Sequence, residues 1–170
     1  IKYQLPDFSQ NPKYYRISTL EFFDHTLINL EDANSISVLR NGDASNDIIN
    51  GYAYSETIYG VDGNGEIYGA DGNDIIIGGK GDDLLVGGNG NDAYIYNFGD
   101  GKDVIDEQNS TSLNNDKIIF GDGINKQDLV FSRDNQDLII NFQGNVDDQI
   151  TSKNFLEISN NQIDTIQFSN

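Results

Sequence analysis

Gly69-Ala70-Asp71-Gly72-Asn73-Asp74-Ile75-Ile76-Ile77, Gly78-Gly79-Lys80-Gly81-Asp82-Asp83-Leu84-Leu85-Val86 and Gly87-Gly88-Asn89-Gly90-Asn91-Asp92-Ala93-Tyr94-Ile95 are three consecutive rows of nine residues. Upstream the period continues in rows that start at Gly42, Gly51 and Gly60. Downstream, after the two-residue insertion Tyr96-Asn97, a seventh row runs from Phe98 to Asp106. Two columns decide the reading. Column eight holds Ile49, Ile58, Ile67, Ile76, Leu85, Tyr94 and Ile105, all large and apolar or aromatic. Column six holds Asp47, Glu56, Gly65, Asp74, Asp83, Asp92 and Asp103, a carboxylate in every row but one. A fixed period of this length signals a repeat architecture, in which each row buries its apolar face only by stacking on its neighbours.

Columns seven to nine are long enough for a short strand whose middle side chain points opposite to the other two. Column eight then faces inward in every row. Columns one to six form a turn, where glycine permits positive φ and close backbone approach. One strand and one turn make half a coil, so row n lies beside row n+2, about 4.8 Å away. The fold expected is therefore all-β, a parallel roll with a thin core.

That register stacks Asp74 on Asp92 and Asp83 on Asp103. Like charges at this spacing repel unless something neutralises them. Residues 42–106 carry 13 acidic side chains and only two basic ones, Lys80 and Lys102. A hard cation with oxygen ligands answers the problem, and Ca²⁺ accepts 6 to 8 oxygens in flexible geometry, backbone carbonyls included. Mg²⁺ demands stricter octahedral geometry. Zn²⁺ is a poor match for a chain with no Cys and one His.

The composition agrees. A net charge of -18 over 170 residues repels phosphates, which argues against nucleic acid and anionic lipid as partners. No apolar run reaches the length of a membrane span. The chain opens on Ile1-Lys2-Tyr3, as a piece excised from a longer protein would. No Gly-x-Ser-x-Gly elbow or His-Glu-x-x-His motif is present. His25, the one histidine, reads as an ordinary turn residue, and no enzymatic activity is expected. The acidic turns open no βαβ unit for phosphate binding, and the EF-hand register fails from Asp43 and from Asp62. No column is regularly Thr, which speaks against an ice-binding face.

The rows resemble the RTX (repeats-in-toxin) haemolysin-type family, with its pattern G-G-x-G-x-D-x-U-x, where U is a large apolar residue. The resemblance implies a right-handed β-solenoid and calcium held by column-six carboxylates and by carbonyls of columns one to four. Carried onto this chain, the carboxylate ligands are Asp71, Asp74, Asp83, Asp92 and Asp103. The backbone ligands are at Gly69, Gly78, Lys80, Gly88, Gly90, Gly99 and Gly101. Asp47 and Glu56 are weaker candidates, because their rows depart from the pattern and row three has Gly65 at the carboxylate column. Two sites are expected, at Asp74/Asp92 and Asp83/Asp103, with up to four in all.

Residues 107–170 are similar to the segment that follows the repeats in large haemolysin-type exoproteins, through Asp116-Lys117-Ile118-Ile119-Phe120, Asp128-Leu129-Val130-Phe131 and Asp137-Leu138-Ile139-Ile140-Asn141-Phe142. An open solenoid end needs a cap, and Phe120, Phe131, Phe142, Phe155 and Phe168 are its expected core. Arg16-Ile17-Ser18-Thr19-Leu20-Glu21-Phe22 parallels Gln162-Ile163-Asp164-Thr165-Ile166-Gln167-Phe168, and Pro6-Asp7-Phe8 parallels Lys153-Asn154-Phe155. Residues 1–40 are thus expected to be the tail of a preceding tandem unit, 41–106 the roll, and 107–170 the cap. The resemblance further implies a secreted or cell-surface protein exported by type I secretion machinery, folding on calcium outside the cell. Its parent is expected to be a toxin-like exoprotein, with a surface adhesin or a secreted protease or lipase as alternatives.

Overall fold

The structure is a computed structural model and describes residues 19–21, 27–29, 38–107, 114–156 and 163–169. His25, Pro6-Asp7-Phe8 and most of the Arg16–Phe22 stretch lie outside these residues. The chain divides into two units, residues 1–36 and 37–170. In the first, β1 (Thr19–Glu21) pairs antiparallel with β2 (Leu27–Asn29).

The second unit opens with β3 (Val38–Asn41), β4 (Ile48–Asn50), β5 (Glu56–Tyr59), β6 (Glu66–Asp71), β7 (Ile75–Ile77), β8 (Leu84–Asn89), β9 (Ala93–Tyr96) and β10 (Lys102–Ile105). It continues with β11 (Asp116–Phe120), a 3-10 turn at Lys126–Asp128, β12 (Leu129–Asp134), β13 (Asp137–Phe142), β14 (Asn145–Ser152) and β15 (Ile163–Phe168). Successive rows alternate between two sheets, ordered β12-β13-β14-β10-β8-β6-β4 and β15-β11-β9-β7-β5-β3. Within the roll all pairings are parallel, with row n beside row n+2. Ile49, Ile67, Leu85 and Ile105 stand in register on one side, and Ile58, Ile76, Tyr94, Ile118 and Ile166 on the other. This is a β-roll.

Column eight is the core. Ile58, Ile67 and Ile76 are completely buried, and Leu85, Tyr94 and Ile105 nearly so. Burying each such side chain stabilises the fold by roughly 1.5–3 kcal/mol. Ile75 in column seven is exposed, while Ile77, Leu84 and Val86 are half-buried on the outer faces. In β3 the same register position is Arg40, beside Ile58, so the apolar column ends in a cation.

The segment after the repeats continues both sheets. β11 extends the β9 side in parallel, and β14 extends the β10 side in parallel before β13 and β12 turn back antiparallel. Tyr96, Phe120 and Phe142 close the core, with Tyr96 stacked on Phe142 at 5.3 Å and Phe120 edge-on to Phe142 at 5.8 Å. Phe155 and Phe168 pack on this cluster. Phe131, expected in it, is half exposed: β12 is the terminal strand of its sheet, and its burial ends at Leu129.

Candidate metal centre

The column-six carboxylates form two ladders. On the β5–β15 side, Asp74 Oδ1 accepts the Glu56 N–H at 2.8 Å, and Asp92 Oδ1 accepts the Asp74 N–H at 2.7 Å. Asp116 Oδ1 then accepts the Asp92 N–H at 2.8 Å, and Asp164 Oδ2 the Asp116 N–H at 3.0 Å. On the other side, Asp83 Oδ1 accepts the Gly65 N–H at 2.6 Å and Asp103 Oδ1 the Asp83 N–H at 3.1 Å. One oxygen of each carboxylate is thus tied to the preceding coil on its own side. The turn positions it, because columns one to six must fold back within six residues.

The second oxygen is different. Oδ2 of Asp74, Asp83, Asp92 and Asp116 is buried with no hydrogen-bond partner, on residues at most 3 % exposed. Those of Asp74, Asp83 and Asp92 face the column-one glycine of their own row. A Cβ on Gly78 would sit 2.5 Å from Asp83 Oδ2, and Gly69 and Gly87 stand in the same relation to Asp74 and Asp92. The Gly87 carbonyl, from the next coil, lies 2.7 Å from that same point at Gly69. Only glycine leaves this space open.

Burial pushes these acids up. Asp74 and Asp116 rise to about 6, Asp92 to about 7 and Asp103 to about 8, each chiefly through desolvation. The amide hydrogen bonds pull in the opposite direction, and neighbouring carboxylates add to the rise. Buried charges are tolerated where they are paired or coordinate a metal. The donors here are hard, anionic and convergent, which is the ligand set a calcium ion takes.

The structure brings Gly69, Asp74, Gly78, Asp83, Asp92 and Asp103 to these ladders. Asp71 stays at the surface, where its Oδ1 accepts the Asn89 side-chain amide at 2.8 Å. Several expected carbonyl ligands have protein partners. The Lys80 carbonyl accepts the Gly63 N–H at 2.7 Å, and the Gly88 carbonyl the Asn114 amide at 3.0 Å. The Gly101 carbonyl accepts both the Tyr96 hydroxyl at 2.5 Å and the Gln149 N–H at 2.9 Å. The N–H groups of Gly99 and Gly101 donate to Asp148 at 2.9 and 3.1 Å, so a carboxylate of the cap seals the last turn. Gly90, at φ +136, packs against the Gly72 carbonyl.

Asp47 and Glu56 have protein partners at both oxygens. Asp47 accepts from the Asp43 N–H at 2.6 Å and the Ser45 hydroxyl at 3.4 Å. Glu56 accepts from Arg40 Nε at 3.1 Å and the Tyr52 N–H at 2.7 Å. Arg40 also caps the Asn50 carbonyl at 2.5 Å and lies 4.2 Å from the Tyr52 ring centre. The first rung therefore already has a protein cation.

Sequence reasoning missed Asp116, Asp164 and Glu107. Asp116-Lys117-Ile118-Ile119 repeats columns six to nine, but it stands 24 residues after Asp92 where the period would place it at 18. The signal was the short D-x-U-x string read without its glycines.

Residues 59–94 match the family described as the RTX calcium-binding nonapeptide repeat, in four copies. This block is an RTX calcium-binding repeat module. No curated protein matches the chain in sequence. Among solved structures, the chain is similar to the solution structure of the AlgE6R3 subunit from the Azotobacter vinelandii mannuronan C5-epimerase. The two share 19% identity with a TM-score of 0.37, over 72% of this chain and 76% of that one. The RTX rows are those in which the orphaned carboxylates and column-one glycines recur most regularly. Among the described residues no helix is long and apolar enough to cross a membrane.

Proposed function

We propose that this chain is a calcium-dependent folding module of a secreted, toxin-like exoprotein, exported unfolded by type I secretion machinery. The observation that carries the calcium part is the set of four buried, partnerless carboxylate oxygens on Asp74, Asp83, Asp92 and Asp116. Calcium, when bound, supplies the positive charge that lets the stacked turns stay together. The chain's own residues do the rest. Asp74 with Asp92, and Asp83 with Asp103, offer the anionic oxygens, and the column-one glycines keep the space beside them open. The Asp71 side chain and the carbonyls of Lys80 and Gly88 keep lone pairs beside their protein hydrogen bonds and remain in the proposed ligand set, whereas the Gly101 carbonyl already accepts two. Asp47 and Glu56 close the ladder at its first rows.

Without the ion, the ladder carries buried like charges around a core one side chain wide, too little to offset the entropy of ordering the coils. Binding energy then becomes folding energy. Export follows from the resemblance, since a chain that is unfolded at low calcium suits passage through a narrow channel. A tandem array of such units would repeat the roll, with the preceding unit ending before β3 rather than at residue 40, residues up to 106 forming the roll and 107–170 capping it.

Circular dichroism of the chain in chelator, followed by calcium titration, tests the reading. Little β-signal in chelator and a cooperative gain with calcium are expected. Full β-structure in chelator, unchanged by calcium, would defeat it.

A further inference from the structure

The nine-residue pattern ends at Asp106, yet the carboxylate ladder does not. On the β9–β11 side it crosses a 24-residue step from Asp92 to Asp116, and residues 107–115, where the turn leading into Asp116 would fall, contain no glycine. Glu107 enters at this place. It follows β10, is only 3 % exposed, and its carboxylate lies with those of Asp92 and Asp116 so that one oxygen from each falls within 4.8 Å of the others. Asp92 and Asp116 are completely buried, and each has an Oδ2 with no hydrogen-bond partner. At Gly87, Asp92 Oδ2 and the Tyr94 hydroxyl both flank the point where a Cβ would stand, the hydroxyl 2.6 Å from it. That hydroxyl accepts the Gly87 N–H at 2.6 Å and donates to Glu107 Oε1. The Gly88 N–H reaches Glu107 Oε2 at 3.4 Å.

Three carboxylates therefore meet in one buried place beside a phenol, and two of them, Asp92 and Asp116, each have an oxygen without a partner. The charges that act on Glu107 are Asp116 and Asp92, both acidic, and burial with their repulsion lifts it to about 8. Where the repeat row supplies a column-one glycine carbonyl, as Gly87 does beside Asp74, this place has a side-chain carboxylate instead.

We propose that Glu107, Asp92 and Asp116 form a cation site that the nonapeptide does not encode, taking a calcium ion where the glycine turn gives out. The site rests on the calcium reading of the RTX rows but differs from them in carrying three charges rather than two. Ligand charge count is one of the two levers that set calcium affinity. Its place joins the last repeat to the cap, since Glu107 leaves β10 and Asp116 begins β11.

The test counts bound calcium on the full chain by native mass spectrometry and calorimetry, with calcium itself as the probe. Glu107→Gln should bind one ion fewer and keep the calcium-induced β-signal of the repeats. Asp83→Asn, on the opposite ladder, should lose a different ion, so the double variant should lose two. An unchanged ion count and unchanged affinities in Glu107→Gln overturn the site and leave the repeat reading intact. A wild-type chain that binds no calcium overturns both. If Glu107→Gln fails to fold, Glu107→Asp decides: it keeps the charge on a shorter arm and should raise the calcium midpoint by about tenfold or more. An unmoved midpoint there counts against the site.

Discussion

Replacing Asp92 by asparagine should have opposite effects with and without calcium. Asp92 is fully buried; Oδ1 accepts the Asp74 N–H at 2.7 Å and Oδ2 has no partner. Burial lifts its pKa from 3.8 to about 7. At 1.36 kcal/mol per pKa unit, keeping it ionised in the metal-free roll at pH 8 costs about 4 kcal/mol. Asparagine removes that cost and retains an oxygen for Asp74. Its amide donors then face the Gly87 turn without an acceptor, a penalty of about 1–3 kcal/mol. The net expectation is a metal-free form stabilised by about 1–3 kcal/mol in chelator at pH 8. With calcium the sign reverses, because one anionic ligand is gone, and the calcium midpoint should rise about tenfold or more. Circular dichroism at pH 8, in chelator and along a calcium titration, reads both limbs. If Asp92→Asn is no more folded than wild type in chelator and shares its calcium midpoint, the ladder argument is wrong.

Three further outcomes follow from the same geometry. In chelator, stability should fall as pH rises from about 5 to 8, because Asp74, Asp92, Asp103 and Asp116 have folded-state pKa values of about 6 to 8, above their ordinary 3.8, so the folded chain binds more protons in that window. The β-signal by circular dichroism in chelator at several pH values checks this, and a signal that grows as pH rises contradicts it. Arg40→Ala should cost about 3 kcal/mol by leaving Glu56 buried without its cation, and Glu56→Gln in the same chain should restore most of it, as a double-mutant cycle in saturating calcium will show. Val61→Gly should stabilise the calcium-loaded roll by about 1 kcal/mol, since Val61 sits at φ +80 in column two, where a β-branched residue is strained; thermal melts would expose a neutral or harmful change.

The nine-residue period, the two diagnostic columns and the pairing of row n with row n+2 were legible in residues 42–106. Each row is one structural unit, so the side chain that must point inward and the acid that must stack are set by counting. Ile58 above Ile76, and Asp74 against Asp92, follow from a repeat that leaves the backbone no other register. The cap was legible only as strands and turns. Its Phe120 and Phe142 close the core as expected, whereas Phe131 does not, because its exposure depends on where a sheet ends and on nothing local to Phe131.

What the sequence by itself determined is therefore the roll: an apolar column for a core, a carboxylate column for a cation, and glycines that leave room between them. What only the tertiary structure decided is how that roll begins and ends. Arg40 reaches Glu56 across 16 residues, Asp148 reaches back 47 and 49 residues to the N–H groups of Gly101 and Gly99, and Glu107 meets Asp92 and Asp116. Each of those contacts brings in a residue from outside the repeat rows, Arg40 from β3, Asp148 from β14, and Glu107 and Asp116 from beyond β10. Their partners are chosen by chain closure in three dimensions, which no column of a repeat records.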